Sequence, residues 1–372
     1  MSDVRHKYEI LDGLRGVAAL CVVLFHIGEL VTPDVEHNPF RHTHLAVDFF
    51  FVLSGFVIAH AYGERLARPK STSGALSVKD FVIRRLIRLH PMVVVSSIIG
   101  LLAYVFDPFV DPHAAKASAG LVGLVFALSL FVLPEPVLPN RFGETHGLNG
   151  PAWSLFQEYV GSLIYGLVGY RAATWVLAAF AALSAAALAA TSLHFNGLSE
   201  GWDWPKFWVA FVRLAYPFAA GVLLYRLGWR LKIPLAAGLL PLVLIAVFMA
   251  PPLRGLSGAF EAWVVIGLWP LVVMTGAGTL DLGPKVEGLY RWLGRISYPL
   301  YIIHYPFMYL FAHWKWSGNR SWGLVLAVEV GLYLGLIAFA WLWLKFYDEP
   351  VRAALTRWLQ PAMPEKEPGR HA

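Results

Sequence analysis

"LDGLRGVAALCVVLFH", Leu11 to His26, is the stretch that decides the class of this protein. It is an apolar run of the kind that opens a membrane span, yet it holds an arginine near one end and a histidine at the other. The rest of the chain repeats the apolar theme. Of 372 residues, 58% are hydrophobic and 15% charged, against about 45–50% and 25% in a soluble domain. Mean hydropathy is +0.58. These values predict an all-α fold, a polytopic integral membrane helical bundle. The 15 Trp and 15 Tyr suit anchoring at the membrane interface. The net charge of +6 does not mark a nucleic-acid binder, because the basic residues cluster between apolar runs. Cys21 is the single cysteine, so no intrachain disulfide exists. No zinc-type Cys/His spacing occurs, and no metal site is expected. The first run carries Arg15, ends in His26 and lacks a small-x-small cleavage site, so it reads as a retained span.

About 17–25 apolar residues cross a bilayer core. By that measure the spans are 11–31, 45–62, 91–107, 151–170, 172–193, 207–225, 233–250, 259–279, 296–314 and 321–346. An eleventh apolar run, 119–133, is short. Loop charge decides its placement. Loop 63–90, with Arg65, Arg68, Lys70, Lys79, Arg84, Arg85 and Arg88, belongs in the cytoplasm, and so does loop 226–232 with Arg226, Arg230 and Lys232. An even number of crossings must separate them, which makes 119–133 a re-entrant or interfacial element on the outer face. The count is then about ten transmembrane helices with both termini cytoplasmic, in a plasma (inner) membrane. Residues 1–350 form one membrane domain, and 351–372 a short cytoplasmic tail.

Several residues do not belong in lipid. Arg15 and His26 are eleven positions apart, so they share one helix face about 16 Å apart along the axis. Arg15 reads either as a side chain reaching back to the headgroups or as part of a polar track across the bundle. Arg85 and Arg88, in "VIRRLIRLHP", neighbour each other on a helix face and are spaced to grip phosphate; the plain alternative is ordinary cytoplasmic charge. "NGPAWSLFQEYVGS" places Asn149, Trp153, Ser154 and Glu158 where an outer loop enters a span. Pro151 there suits a first helical turn. Glu158 lies one or two turns into the membrane, where an unpaired carboxylate is costly.

Taken together these motifs resemble the acyltransferase family 3 membrane proteins. The resemblance runs through nearly the whole chain. It includes Arg15 with His26, "VDFFFVLSGFVIAH" (Asp48 within it, to His60), Arg85-x-x-Arg88-x-x-Pro91, "PAWSLFQE" (Pro151 to Glu158), "LGRISYPLYIIHYP" (Leu293 to Pro306) and "YDEP" (Tyr347 to Pro350). Two departures stand out. The family often has a tyrosine four positions beyond the glutamate, where this chain has Ser162. Some members also carry a fused esterase-like domain; none is expected here, so transfer is expected by the membrane domain alone or with a partner.

The resemblance implies transfer of an acyl group, by default acetyl, from cytosolic acyl-CoA to a hydroxyl of a cell-surface carbohydrate or glycolipid acceptor. Acetyl-CoA is then a donor substrate, with no permanently bound cofactor. Arg85 and Arg88 are expected to hold the CoA phosphates, with Arg15 deeper along the path. His26 is expected to act as general base or transient acyl acceptor, with Glu158 or Asp48 orienting its imidazole. Trp153, Ser154, Asn149, Ser54 and His304 are expected to serve the acceptor or support the site. Arg213 is expected to pair with Glu261 or Glu329. The rival reading is a transporter or flippase for a lipid-linked glycan or an anion, although no internal repeat of the kind transporters show is present. A sensor that binds acyl-CoA without turnover is a third reading.

Overall fold

A computed structural model describes residues 8–32, 34–111, 113–279 and 283–359. The described chain is helical: α1 (Glu9–Val31), α2 (Ala46–Ile58), α3 (Glu64–Ala67), α4 (Val78–Val105), α5 (Ala119–Ser129), α6 (Ala152–Ile164), α7 (Thr174–Phe195), α8 (Phe207–Arg226), α9 (Ala236–Phe248), α10 (Ser257–Trp263), α11 (Trp269–Gly278), α12 (Pro284–Ile303), α13 (Tyr305–Trp316), α14 (Trp322–Trp343) and α15 (Glu349–Leu359). Single π-turns join α2 to α3, α10 to α11 and α14 to α15, so each pair runs on as one segment. Among the described residues, seven helical segments are long and apolar enough to cross a membrane. The other three expected spans are not among these: 151–170 is α6 extended by a π-turn through Gly169, 233–250 holds the 13-residue α9, and 296–314 is divided between the end of α12 and α13. α5 has 11 residues, about 16 Å of helix, which is half of a ~30 Å core. The C-terminal segment expected as a tail is helical through Leu359; residues 360–372 lie outside the described residues.

The expected cytoplasmic loop 63–90 ends sooner than charge alone implied. Ser77 caps α4: its Oγ accepts from the Asp80 N–H at 3.0 Å and donates to the Asp80 carboxylate at 2.7 Å. The helix therefore starts at Val78 and extends for 28 residues, about 42 Å. Arg84, Arg85 and Arg88 ride on its first three turns, rigidly placed instead of dangling in a loop.

Two close helix crossings hold the centre together. α1 lies against α12, and α2 against α8. A Cβ added at Gly16 would stand 2.5 Å from the Leu293 carbonyl carbon, and one at Gly294 would stand 2.7 Å from Asp12 Cβ. At the second crossing, a Cβ on Gly55 would meet the Phe218 carbonyl oxygen at 2.1 Å, and one on Gly221 would meet that of Val52 at 2.0 Å. In lipid, association gains little from apolar burial and much from backbone approach, so small residues mark these seams. Gly16, which flanks Arg15, makes room for α12. The crossings bring Arg15, His26, Asp48 and Arg213 toward one interior.

Candidate functional site

Two cavities lie end to end along α1. The inner one, of about 220 Å3, is lined by Asp12, Arg15, Ser54, Arg85, Arg88, Ser154 and Glu158 among others. The outer one, of about 660 Å3, is lined by His26, Glu29, Glu144, Trp153, Lys206 and Arg213 among others. Val47 and Tyr301 line both. The Tyr301 hydroxyl is 2.7 Å from Ser154 Oγ, which also donates to the Pro151 carbonyl at 2.9 Å. This tyrosine–serine pair is the partition between the cavities. The eleven-residue spacing on α1 thus puts Arg15 in one chamber and His26 in the next.

The inner chamber is cationic. Arg15 donates to Ser297 Oγ at 2.9 Å and to the Gly294 carbonyl at 3.1 Å, and pairs with Asp12 at 3.1 Å. Arg85 pairs with Glu158 at 2.5 Å. Arg88 has no hydrogen bond or ion pair within 4 Å among the described residues, and Asp348, Asp12, Arg85 and Arg15 act on it through space. Three guanidinium groups face two carboxylates on the chamber wall, leaving one positive charge.

His26 is oriented by a carboxylate, but not by Glu158 or Asp48. Its Nδ1 is 2.7 Å from Glu29 Oε1, one turn further along α1. Glu158 is committed to Arg85 in the other chamber. Asp48 is fully buried against Arg213, at 2.6 and 3.2 Å. Where Glu29 is ionised it can only accept, which makes Nδ1 the donor of this bond and, in a neutral ring, leaves the lone pair on Nε2. Sequence reading missed Glu29, although its i,i+3 spacing from His26 was visible. The His26 ring also stacks on His304, with centroids 5.3 Å apart, and meets Tyr305 edge-on at 4.8 Å. His304 donates from Nδ1 to the Tyr301 carbonyl at 2.7 Å, and its buried Nε2 has no partner among the described residues.

The remaining expected residues separate by chamber. Trp153 lines the outer cavity beneath the Arg213 guanidinium, 5.1 Å from the ring centre. Ser54 and Ser154 line the inner one. Asn149 touches neither; its Nδ2 donates to the Ile302 carbonyl at 2.7 Å. Pro306 lacks the N–H that would bond Ile302 within a helix, so Asn149 takes the orphaned carbonyl where α12 gives way to α13. The expected pairing of Arg213 with Glu261 or Glu329 is corrected. Arg213 holds Asp48, and Glu261 accepts from His42 Nδ1 at 2.8 Å and from the Leu198 N–H at 2.5 Å, with His44 Nε2 3.0 Å away. Burial decides both: an isolated charge there would be costly.

Two loops meet over the larger cavity. Thr145 N–H donates to the Trp202 carbonyl at 2.9 Å, and Trp204 Nε1 donates to the Glu135 carbonyl at 2.8 Å. This pins Glu144 beside Asp203. Glu144 is buried in its loop and accepts a hydrogen bond from the Tyr309 hydroxyl. Burial pushes its carboxyl up to about 7.

The acyltransferase-domain family description matches residues 8–344, nearly the whole chain. The chain belongs to acyltransferase family 3. Among relatives of this acyltransferase, Protein 2 in the picA locus of Rhizobium radiobacter is 34% identical over 198 residues, 51% of this chain and 96% of the relative. A Bacillus subtilis (strain 168) protein with the provisional name peptidoglycan O-acetyltransferase YrhL is 24% identical over 379 residues, 93% of this chain and 55% of the relative. A provisionally named O-acetyltransferase of Staphylococcus aureus (strain COL) is 35% identical over 85 residues, 23% of this chain and 12% of the relative. The acyltransferase thus spans about half the length of the Bacillus relative, and a smaller share of the Staphylococcus one. No solved structure matches it.

Proposed function

We propose that this acyltransferase moves an acyl group, acetyl by default, from acyl-CoA at the inner cavity to a carbohydrate hydroxyl at the outer one. The observation that carries this reading is the pair of chambers meeting at Tyr301 and Val47, arginines in one and His26 in the other. The inner chamber faces the cytoplasm, and Arg88 is the cation left for a CoA phosphate. The pantetheine arm runs past Arg15 toward the Tyr301–Ser154 partition. His26 Nε2 then either takes the proton of the acceptor hydroxyl and returns it to the CoA thiolate as the C–S bond breaks, or itself displaces CoA thiolate, carries the acyl group and passes it to the acceptor hydroxyl, whose proton ends on the departed thiol. Glu29 holds the tautomer and stabilises the imidazolium, as a buried aspartate does in a Ser-His-Asp triad. The O-acetyltransferase names of the Bacillus and Staphylococcus relatives support acetyl as donor group and a cell-envelope glycan as acceptor. Residence in the plasma (inner) membrane with both termini cytoplasmic follows the distribution of basic loops.

The test is thermal stability of the purified protein titrated with acetyl-CoA, CoA and ATP. A ligand bound by the folded state raises apparent stability, by about 2.7 kcal/mol at a hundredfold excess over Kd. Acetyl-CoA and CoA should stabilise wild type and His26→Ala. The effect should vanish in Arg85→Ala/Arg88→Ala. A folded wild type indifferent to CoA would sink the donor site and bring the transporter reading forward.

A further inference from the structure

At the N-terminal end of α2, two histidines and a glutamate gather that the acyl-transfer reading does not use. One ligand-capable atom from each of His42, His44 and Glu261 lies within 4.8 Å of the others. His42 and Glu261 are buried, and His44 stands on the wall of the outer cavity. The two histidines belong to the turn before α2. Glu261 lies on α10, 219 residues beyond His42. Spacing along the chain therefore gave no sign of this cluster, and folding assembles it.

Protons alone do not satisfy these groups. A carbonyl only accepts, so the 3.0 Å contact of His44 Nδ1 with the Arg41 carbonyl puts a proton on Nδ1. In a neutral ring the lone pair is then on Nε2, which lies 3.0 Å from Glu261 Oε2. A lone pair facing an ionised carboxylate at that distance is repelled. Protonating Glu261 is the unfavoured remedy, because imidazole is the stronger base. Charging the rings is no remedy either. The Nε2 atoms of both His42 and His44 are buried and make no hydrogen bond among the described residues, so a proton on His44 Nε2 does not point at the carboxylate. Nitrogen and oxygen donors that converge on a common point, and not on each other, make contacts of this kind. The groups are also held from behind. Glu261 Oε2 accepts from the Leu198 N–H at 2.5 Å, and His44 Nδ1 is fixed by the Arg41 carbonyl. Such hydrogen bonds orient metal ligands and set the histidine tautomer.

The geometry points to a zinc-binding site made by His42, His44 and Glu261. Two imidazoles and one carboxylate are a donor set that zinc takes in tetrahedral geometry, with water as fourth ligand. His44 binds through Nε2, which turns the repelled lone pair into a bond. Bonds of ~2.0–2.2 Å follow from small rotations of the three side chains about one ion. The ion ties the turn before α2 to α10. The His44 carbonyl accepts from Arg213 at 2.9 Å, and Arg213 holds Asp48, so the clamp also steadies the wall behind the outer cavity. It stands apart from His26 and needs no part of the acyl-transfer reading.

The test uses full-length protein purified through a tag without histidine, stripped with chelator and titrated with zinc or cobalt alone. Zinc should bind at about one ion per chain, the stoichiometry of a mononuclear site, and raise the melting temperature. Cobalt should give the visible absorption of a tetrahedral nitrogen–oxygen site, and zinc should displace it. X-ray absorption of the zinc-loaded wild type should show two imidazoles and no sulfur. Glu261→Gln can still accept from the Leu198 N–H and can donate to His44 Nε2. It should therefore fold, yet lose more zinc affinity than the roughly 10–100-fold that removing a group behind a ligand costs. His44→Ala should lose the cobalt band. His26→Ala and His37→Ala, the second at an exposed histidine beside Asp34, should keep it. A folded wild type that takes up no stoichiometric zinc overturns the proposal, as does an absorption spectrum with fewer than two imidazoles. So does a cobalt band that survives Glu261→Gln or vanishes in His26→Ala or His37→Ala. The wild-type readings decide on their own if a variant fails to fold.

Discussion

The histidine and its carboxylate are three residues apart on one helix, and in the proposed transfer that short distance decides which nitrogen would act. An ionised Glu29 at 2.7 Å from Nδ1 would leave a neutral ring's lone pair on Nε2, the nitrogen assigned to the proposed transfer. Glu29→Gln keeps the shape but no longer demands a proton on Nδ1, so the wrong tautomer is populated. Turnover should fall by about a hundredfold or more, the scale of a general acid–base contribution. Acetyl-CoA stabilisation should persist, because Glu29 lies in the other chamber. An equal loss of donor binding would argue against the division of labour between chambers. Legibility at this scale was uneven. Arg15 and His26 could be read because an ionisable group in an apolar run stands out against its neighbours. Glu29 was hidden at the polar end of the same run, where charge is ordinary.

At the scale of elements, the segment from α12 to α13 carries a deliberate break. Pro306 removes a helix hydrogen bond, and Asn149 from a distant loop restores it at the Ile302 carbonyl. Asn149→Ala would leave a buried carbonyl without a donor, at a cost of about 1–3 kcal/mol. Its melting temperature should drop measurably in detergent, and His26 should lose activity through the shifted His304–Tyr305 wall. The loop from Leu133 to Gly150 makes a pH prediction. Burial raises Glu144 to about 7 and Glu135 to about 8, and lowers His146 to about 4. A carboxyl raised on folding contributes stability that is present below its unfolded pKa and lost as pH rises through the folded value. The His146 contribution runs the other way and is complete above its unfolded value near 6.5. Within this loop only the two carboxyls act between pH 6.5 and 8, so their contribution to stability should fall with rising pH. Melting curves across that window should flatten in Glu135→Gln/Glu144→Gln; an unchanged slope would remove these two groups as the cause.

On the scale of the whole molecule, the charge pattern sets an orientation that chemical labelling can read. Cys21 is buried, which leaves the native chain poorly reactive. A cysteine at Ser71, in the basic loop before α4, should react with an impermeant maleimide only after the membrane is opened. One at Arg254, between α9 and α10, should react in intact cells. The reverse pattern would invert the topology and with it the direction of transfer. The same labelling leaves the ten-span count testable where the helices are broken, at α9 and at the α12–α13 junction.

The sequence by itself determined the membrane helical class, the basic loops and the polar residues of α1, because these depend on local composition and on helical period. It also carried the family resemblance, since motif order is a property of the chain. Only the tertiary structure decided partners. Whether Arg213 meets Asp48 or Glu261, whether Glu158 serves His26 or Arg85, and whether Asn149 faces a ligand or a proline break all depend on contacts between segments 73 to 165 residues apart. Spacing along one helix cannot report those contacts. The division into two chambers has the same origin. It exists because glycines let α1 approach α12 and α2 approach α8 closely enough for Tyr301 and Ser154 to meet between them.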